Sequence, residues 1–162
     1  MKPVLNPNPQ KPAAQAKVAA ALLPCLADLL DLAGHAKLAH WHVRGPNFIA
    51  LHGLFDTFTD TLRAQADRVA ERVVFGLGGA VVGTARKVAE ESRLDDFPEA
   101  ERGADALCLA LVAGAREVSA GLQEARGVCE DMGDADTANL LQDIALAVEH
   151  TAGLIAAHVA DK

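Results

Sequence analysis

The stretch HWHVRGPNFIALHGLFD, residues 40–56, places His40 and His42 before a Gly45-Pro46 break and His52 and Asp56 after it. Imidazole nitrogens and carboxylate oxygens are metal-competent ligands, so this grouping invites a test for a metal site. Asp67 and Glu71 follow on the same predicted helix. At about 100° per residue, with Leu51 as zero, Leu51, Phe55, Phe58, Leu62, Val69 and Val73 fall within roughly 60° of arc, a core-facing stripe. On the same count His52, Asp56, Asp67 and Glu71 lie near 100°, 140°, 160° and 200°, one face turned away from that core. Acids on an outward face are ordinarily just solvated, but core packing gives no reason for histidines and acids at all these positions. Asp56 and Asp67 are separated by roughly 16 Å of helix, whereas the ligands of one centre converge within about 2–4 Å. One chain therefore cannot close the site. A second copy running antiparallel across a twofold axis would bring its Asp67 and Glu71 beside the first chain's His52 and Asp56. His40 reaches the same end across the Gly-Pro turn.

The elements that must carry these residues follow from periodicity. Residues 14–43 are Ala- and Leu-rich with a helical period, and Pro24 either kinks this helix or marks its start. Gly45-Pro46 ends it, and Asn47 is the expected cap of a second helix over 48–75. GLGG at 76–79 is a break and no phosphate loop, since no Gly-Lys-Ser/Thr follows. A short helix over 84–92, a third long helix over 101–130, a GDAD turn and a fourth helix over 136–160 complete the chain. The expected fold is all-α, a four-helix bundle with one small helix in the connection between the second and third long helices.

Composition narrows the class. The 162 residues suit one domain, 14–162, preceded by a flexible tail, 1–13, and no apolar run is long enough for a membrane span. With no signal-peptide core, the expected compartment is cytoplasmic. Cys25, Cys108 and Cys129 show no CxxC spacing and read as reduced packing residues. The chain has 15 basic and 22 acidic side chains, net −7, yet residues 1–27 contain Lys2, Lys11 and Lys17 and no acid. Such a segment could touch nucleic-acid phosphates, although a solvated tail is the simpler reading.

The run AHWHVRGPNFIALHGLFD followed by RAQADRVAERV resembles the signature of the Dps family, the miniferritins also called DNA-binding proteins from starved cells. The family's pattern of two histidines and three acids is met in full by His40, His52, Asp56, Asp67 and Glu71, alongside Trp41, Gly45, Asn47-Phe48, Arg72 and the later DADTA. The resemblance covers residues 16–160 and is weakest in the last helix. It implies a ferritin-like bundle assembled as a hollow dodecamer, with nucleoid association as the variant of the cytoplasmic location. Each twofold interface would hold two iron sites, and the five residues would be both metal-binding and catalytic in an intersubunit ferroxidase centre. There Fe(II) would be oxidised, by hydrogen peroxide or dioxygen, and stored as ferric oxide, protecting DNA from oxidative damage. Ferric iron, the harder acid, favours the carboxylate oxygens.

The same resemblance assigns Asp134, Asp136 and Asp143 to an entry pore, although a GDAD turn is also ordinary capping chemistry. It makes Trp41 a redox aromatic. Gly153 stands where many relatives have tryptophan, and Asn139 where an acid is expected. His42 reads as a surface or interface side chain with a second metal site as the variant, and Arg72 as an interface salt bridge. His35, His150 and His158 lack a carboxylate at ligand spacing and read as structural. The alternative is a DNA-compacting scaffold working through its tails in multivalent, salt-sensitive contacts, with iron chemistry secondary. A metal-free helical oligomer is the blandest alternative.

Overall fold

The computed structural model describes residues 11–159. Its elements are α1 (Pro12–His42), α2 (Phe48–Glu71) continued by a π turn (Arg72–Gly76), α3 (Ala85–Glu91), α4 (Ala104–Asp131) and α5 (Ala135–Ala156). The four long helices form the bundle: α1 packs on α2 and α4, α5 packs on α4 and α2, and short α3 lies against α1. Among the described residues none lies in a named strand, and no helix is long and apolar enough to cross a membrane.

The stripe expected on α2 is the buried one. Leu51 is 1% exposed, and Phe55, Phe58, Leu62, Val69 and Val73 are fully buried. They pack with Leu22, Leu29 and Leu32 of α1, Leu107 and Leu111 of α4, and Leu141 and Ile144 of α5. Each such side chain contributes about 2 kcal/mol of transfer free energy, so a rotation of α2 that hid its polar face would forfeit several at once. Helix α2 is thereby locked with His52, Asp56, Asp67 and Glu71 outside its core.

Two tight devices join the helices. Gly45, at φ +116°, makes the α1–α2 corner. At the α4–α5 corner Gly133 has φ +73°, the Asp134 N–H donates to the Cys129 carbonyl at 2.8 Å, and the Gly133 N–H donates to that of Glu130 at 3.0 Å. This paired pattern is a Schellman motif, whose left-handed position favours glycine.

The long connection between α2 and α4 is tied down by a buried ion pair. Asp28 of α1 is 1% exposed and accepts from the Arg93 backbone N–H at 2.9 Å, Nε at 2.9 Å and Nη2 at 2.6 Å. The guanidinium lies over α4 where residue 121 has no side chain: a Cβ there would come within 2.1 Å of Arg93 Nη2.

Several expectations are corrected. Pro24 lies inside α1, so it does not start that helix. Asn47 precedes α2 but makes no side-chain cap bond; its φ and ψ of −95° and 16° are outside the extended region that cap geometry uses. Helix α1 begins at Pro12, where proline's fixed φ suits a first helical position, so residues 12 and 13 of the expected tail, 1–13, are helical, and residues 1–10 lie outside the described residues. Lys17 accordingly lies on α1 and Lys11 stands at the position just before it, with no side-chain cap bond, while Lys2 falls outside the described residues.

Candidate functional site

The α1–α2 corner brings His40 and His52 face to face. Their rings stack with centroids 3.7 Å apart and planes 20° from parallel. His40 Nδ1 lies 2.7 Å from the His52 carbonyl, and His52 Nδ1 lies 2.8 Å from the His40 carbonyl. A carbonyl only accepts, so both Nδ1 atoms donate, and in each neutral ring the Nε2 lone pair is left for a ligand bond. The local reason is chain ending. The His40 carbonyl belongs to the last turn of α1, and the Arg44 N–H that would serve it in a continuing helix donates instead to the Arg102 carbonyl at 3.1 Å. His52 supplies the missing donor.

Asp56 lies one turn beyond His52 on α2 and is hydrogen-bonded by Lys37 of α1. That ammonium holds the Asp56 carboxyl below the usual carboxylate range, with smaller help from His40 and His52. Lys37 went unremarked in the sequence. The signal available was its position three residues before His40, which places it on the same helical face.

Asp67 and Glu71 are exposed, farther along α2, and among the described residues no hydrogen bond or ion pair occupies either carboxylate. The structure thus brings His40, His52 and Asp56 to one end of α2 and leaves Asp67 and Glu71 toward the other. Among the described residues no group of three His, Cys, Asp or Glu side chains is arranged to hold a metal ion. One chain offers two imidazoles and, separately, two open carboxylates.

The remaining predicted residues divide sharply. Asp134 is 2% exposed and caps α5, its Oδ1 accepting from the Thr137 N–H at 3.1 Å, so it lines no surface and the pore assignment is corrected for this residue. Arg72 donates from Nη2 to Asp134 Oδ1 at 3.1 Å, which makes its salt bridge internal to the chain instead of interfacial. Asp136 is exposed in the first turn of α5, and Asp143 is exposed beside Arg68 at 3.7 Å. Asn139 is exposed on α5 as well. Trp41 is 59% exposed next to the histidine pair. A Cβ on Gly153 would meet nothing within 4 Å, so the space a larger side chain would fill there is open.

His42 lies 2.8 Å by Nδ1 from Arg102 Nη1. Guanidinium only donates, so that Nδ1 is an occupied acceptor, in keeping with the surface reading. His35 does have a carboxylate neighbour, contrary to expectation: Nε2 is 3.6 Å from Asp31 one turn earlier. Its ring packs 5.0 Å from Phe97, and burial pushes its pKa down against the opposing pull of Asp31 and Asp96, as for a packing histidine. His150 is exposed and His158 half-buried. All three cysteines are buried thiols; burial pushes Cys25 and Cys108 up to about 11 and Cys129 up to about 12.

Comparison with known proteins agrees with this architecture. The ferritin-like domain model matches residues 19–161. The DNA protection during starvation protein of Agrobacterium fabrum is 33% identical over 149 residues, 92% of this chain and 91% of that one. DpsC from Streptomyces coelicolor superposes with a TM-score of 0.90 at 28% identity, over 97% of this chain and 91% of that one. Dps from Microbacterium arborescens, solved in a high iron form, gives a TM-score of 0.85 at 27% identity over 95% and 97% of the two chains. The chain belongs to the ferritin-like family, in its Dps branch.

Proposed function

We propose that this protein takes up Fe(II) at sites shared between two subunits, oxidises it and stores the ferric product inside a hollow homo-oligomer, a dodecamer as the family resemblance implies. The observation that carries the proposal is the reciprocal Nδ1-to-carbonyl pairing of His40 and His52, which leaves both Nε2 atoms available. The donor set fits iron: imidazoles and Asp56 from one subunit, and the open carboxylates of Asp67 and Glu71 from another copy, which take the ion as it hardens on oxidation. Each Fe(II) gives up one electron, so two ions and two protons reduce one hydrogen peroxide to two waters; dioxygen is the alternative acceptor. Trp41, exposed and adjacent in sequence to His40, would be the source of a second electron when only one iron is bound. Asp136 and Asp143 remain for an entry path.

The high iron form of the Microbacterium relative supports the cargo, and the name of the Agrobacterium relative supports DNA protection as the outcome. Removing Fe(II) and peroxide together achieves that protection without DNA contact.

Complementation tests the shared site. His52→Ala and Asp67→Ala subunits each lack one half, but a mixed interface keeps one of its two sites intact. Assemblies refolded from an equal mixture should recover about a quarter of the wild-type Fe(II) oxidation rate, because half of random interfaces are mixed. No recovery from correctly assembled mixtures refutes sharing.

A further inference from the structure

With no side-chain partner of their own, Asp67 and Glu71 are positioned by the α2 backbone alone. That backbone changes its winding directly after Glu71, where α-helix gives way to the π turn Arg72–Gly76. A π turn is uncommon and re-aims the side chains around it, frequently beside a functional site. Here it accompanies an inward-turned Arg72. Its Nε donates to Thr137 Oγ1 at 2.8 Å, and its Nη2 donates to Asp134 Oδ1 at 3.1 Å and Oδ2 at 3.3 Å. Both anchors are rigid: Asp134 is 2% exposed, Thr137 is fully buried, and Asp134 also caps the Thr137 N–H. Glycine at 76 leaves the guanidinium its room, since a Cβ there would stand 2.9 Å from Arg72 Nη1.

We infer that Arg72 is a positioning residue for the carboxylate half of the metal site. By tying the peptide next to Glu71 to the first turn of α5, it holds Glu71, and Asp67 one turn earlier, at the spacing the imidazole half of another copy requires. Without the clamp the end of α2 frays, and the two carboxylates must be ordered at the moment of metal binding. Groups that orient metal ligands typically change affinity by about 10–100-fold when removed. The inference rests on the shared-site reading.

Thr137→Val tests it in the assembled protein, because valine keeps the shape and the capped backbone N–H but removes the oxygen that receives Arg72 Nε. Co(II), titrated anaerobically and followed by its visible absorption, is the probe. Thr137→Val should bind Co(II) at least about tenfold more weakly than wild type. Thr137→Ser, which restores the hydroxyl, should bind within about threefold of wild type; helix content and assembled mass should be unchanged in both. A purely structural role would move the melting temperature and leave Co(II) affinity alone. Wild-type affinity in Thr137→Val and also in Arg72→Met, which removes the Asp134 bonds too, with His52→Asn binding weakly, overturns the clamp and spares the shared site. Wild-type affinity in His52→Asn as well overturns the shared site, and the clamp with it.

Discussion

Substituting His52 separates what the histidine pair does for the fold from the iron-binding role proposed for it. In His52→Ala the backbone carbonyl at 52 remains, so His40 keeps its own bond and its Nε2. Lost are the donor to the His40 carbonyl, about 1 kcal/mol, and the ring stack at 3.7 Å, about 0.5–1.5 kcal/mol. Together they predict a loss near 2 kcal/mol, which for a domain of this size lowers the melting temperature by roughly 4–8 °C. Asparagine is the discriminating replacement. Its side-chain N–H occupies the place of Nδ1–H and keeps the bond to His40, but it offers no nitrogen where Nε2 stood. His52→Asn should therefore melt within about 3 °C of wild type and yet oxidise Fe(II) slowly. The assay is ferric absorbance after anaerobic Fe(II) loading and a peroxide pulse, paired with thermal unfolding followed by circular dichroism. Wild-type oxidation by His52→Asn would refute the assignment of Nε2 as a ligand, and a large drop in melting temperature would refute the local hydrogen-bond account.

Three further outcomes are expected. Lys37→Met removes the hydrogen bond that depresses the Asp56 pKa, so the carboxyl should titrate at higher pH; the stability Asp56 supplies, complete above its unfolded pKa and lost as pH falls through its lower folded value, should shrink in that acid window. Carbon-13 NMR of the Asp56 carboxyl measures this, and an unmoved titration refutes the pairing. Asp28→Asn should destabilise the chain by about 3 kcal/mol, the low end for breaking a buried pair because the Arg93 side chain is 43% exposed; a urea midpoint equal to wild type refutes that role. At pH 8 all three thiols should resist a water-soluble disulfide reagent in the native protein and react only after unfolding, since burial raises Cys25 and Cys108 to about 11 and Cys129 to about 12. Rapid labelling of any one in the native state contradicts its burial.

The α2 stripe was legible because period and burial are the same physics: the residues within a narrow arc are those with 1% exposure or less. Helix ends were legible to within a few residues for the same reason, with Gly45 and Gly133 marking the corners they make. What escaped depends on pairings distant along the chain. Arg72 meets Asp134 and Thr137 from 62 and 65 residues away, so neither the internal clamp nor the burial of Asp134 shows in local spacing. Lys37 reaches Asp56 only because the Gly-Pro corner folds α1 back on α2. Asn47 has the residue type of a cap without the backbone angles, a distinction composition does not carry. The orientation of the histidine rings was likewise invisible, since it is dictated by which carbonyl at the end of α1 has lost its helical donor.

The reciprocal histidine bonds also make the corner a gauge of its own alignment. Each ring reports the position of the other helix: His40 senses a carbonyl on α2, and His52 senses one on α1. A slip of α1 against α2 by a single residue, about 1.5 Å, breaks both contacts and frees both rings to rotate. The two rings are thus ordered together only in the right register, and a chain whose two helices have not settled into it displays no ordered pair of Nε2 atoms.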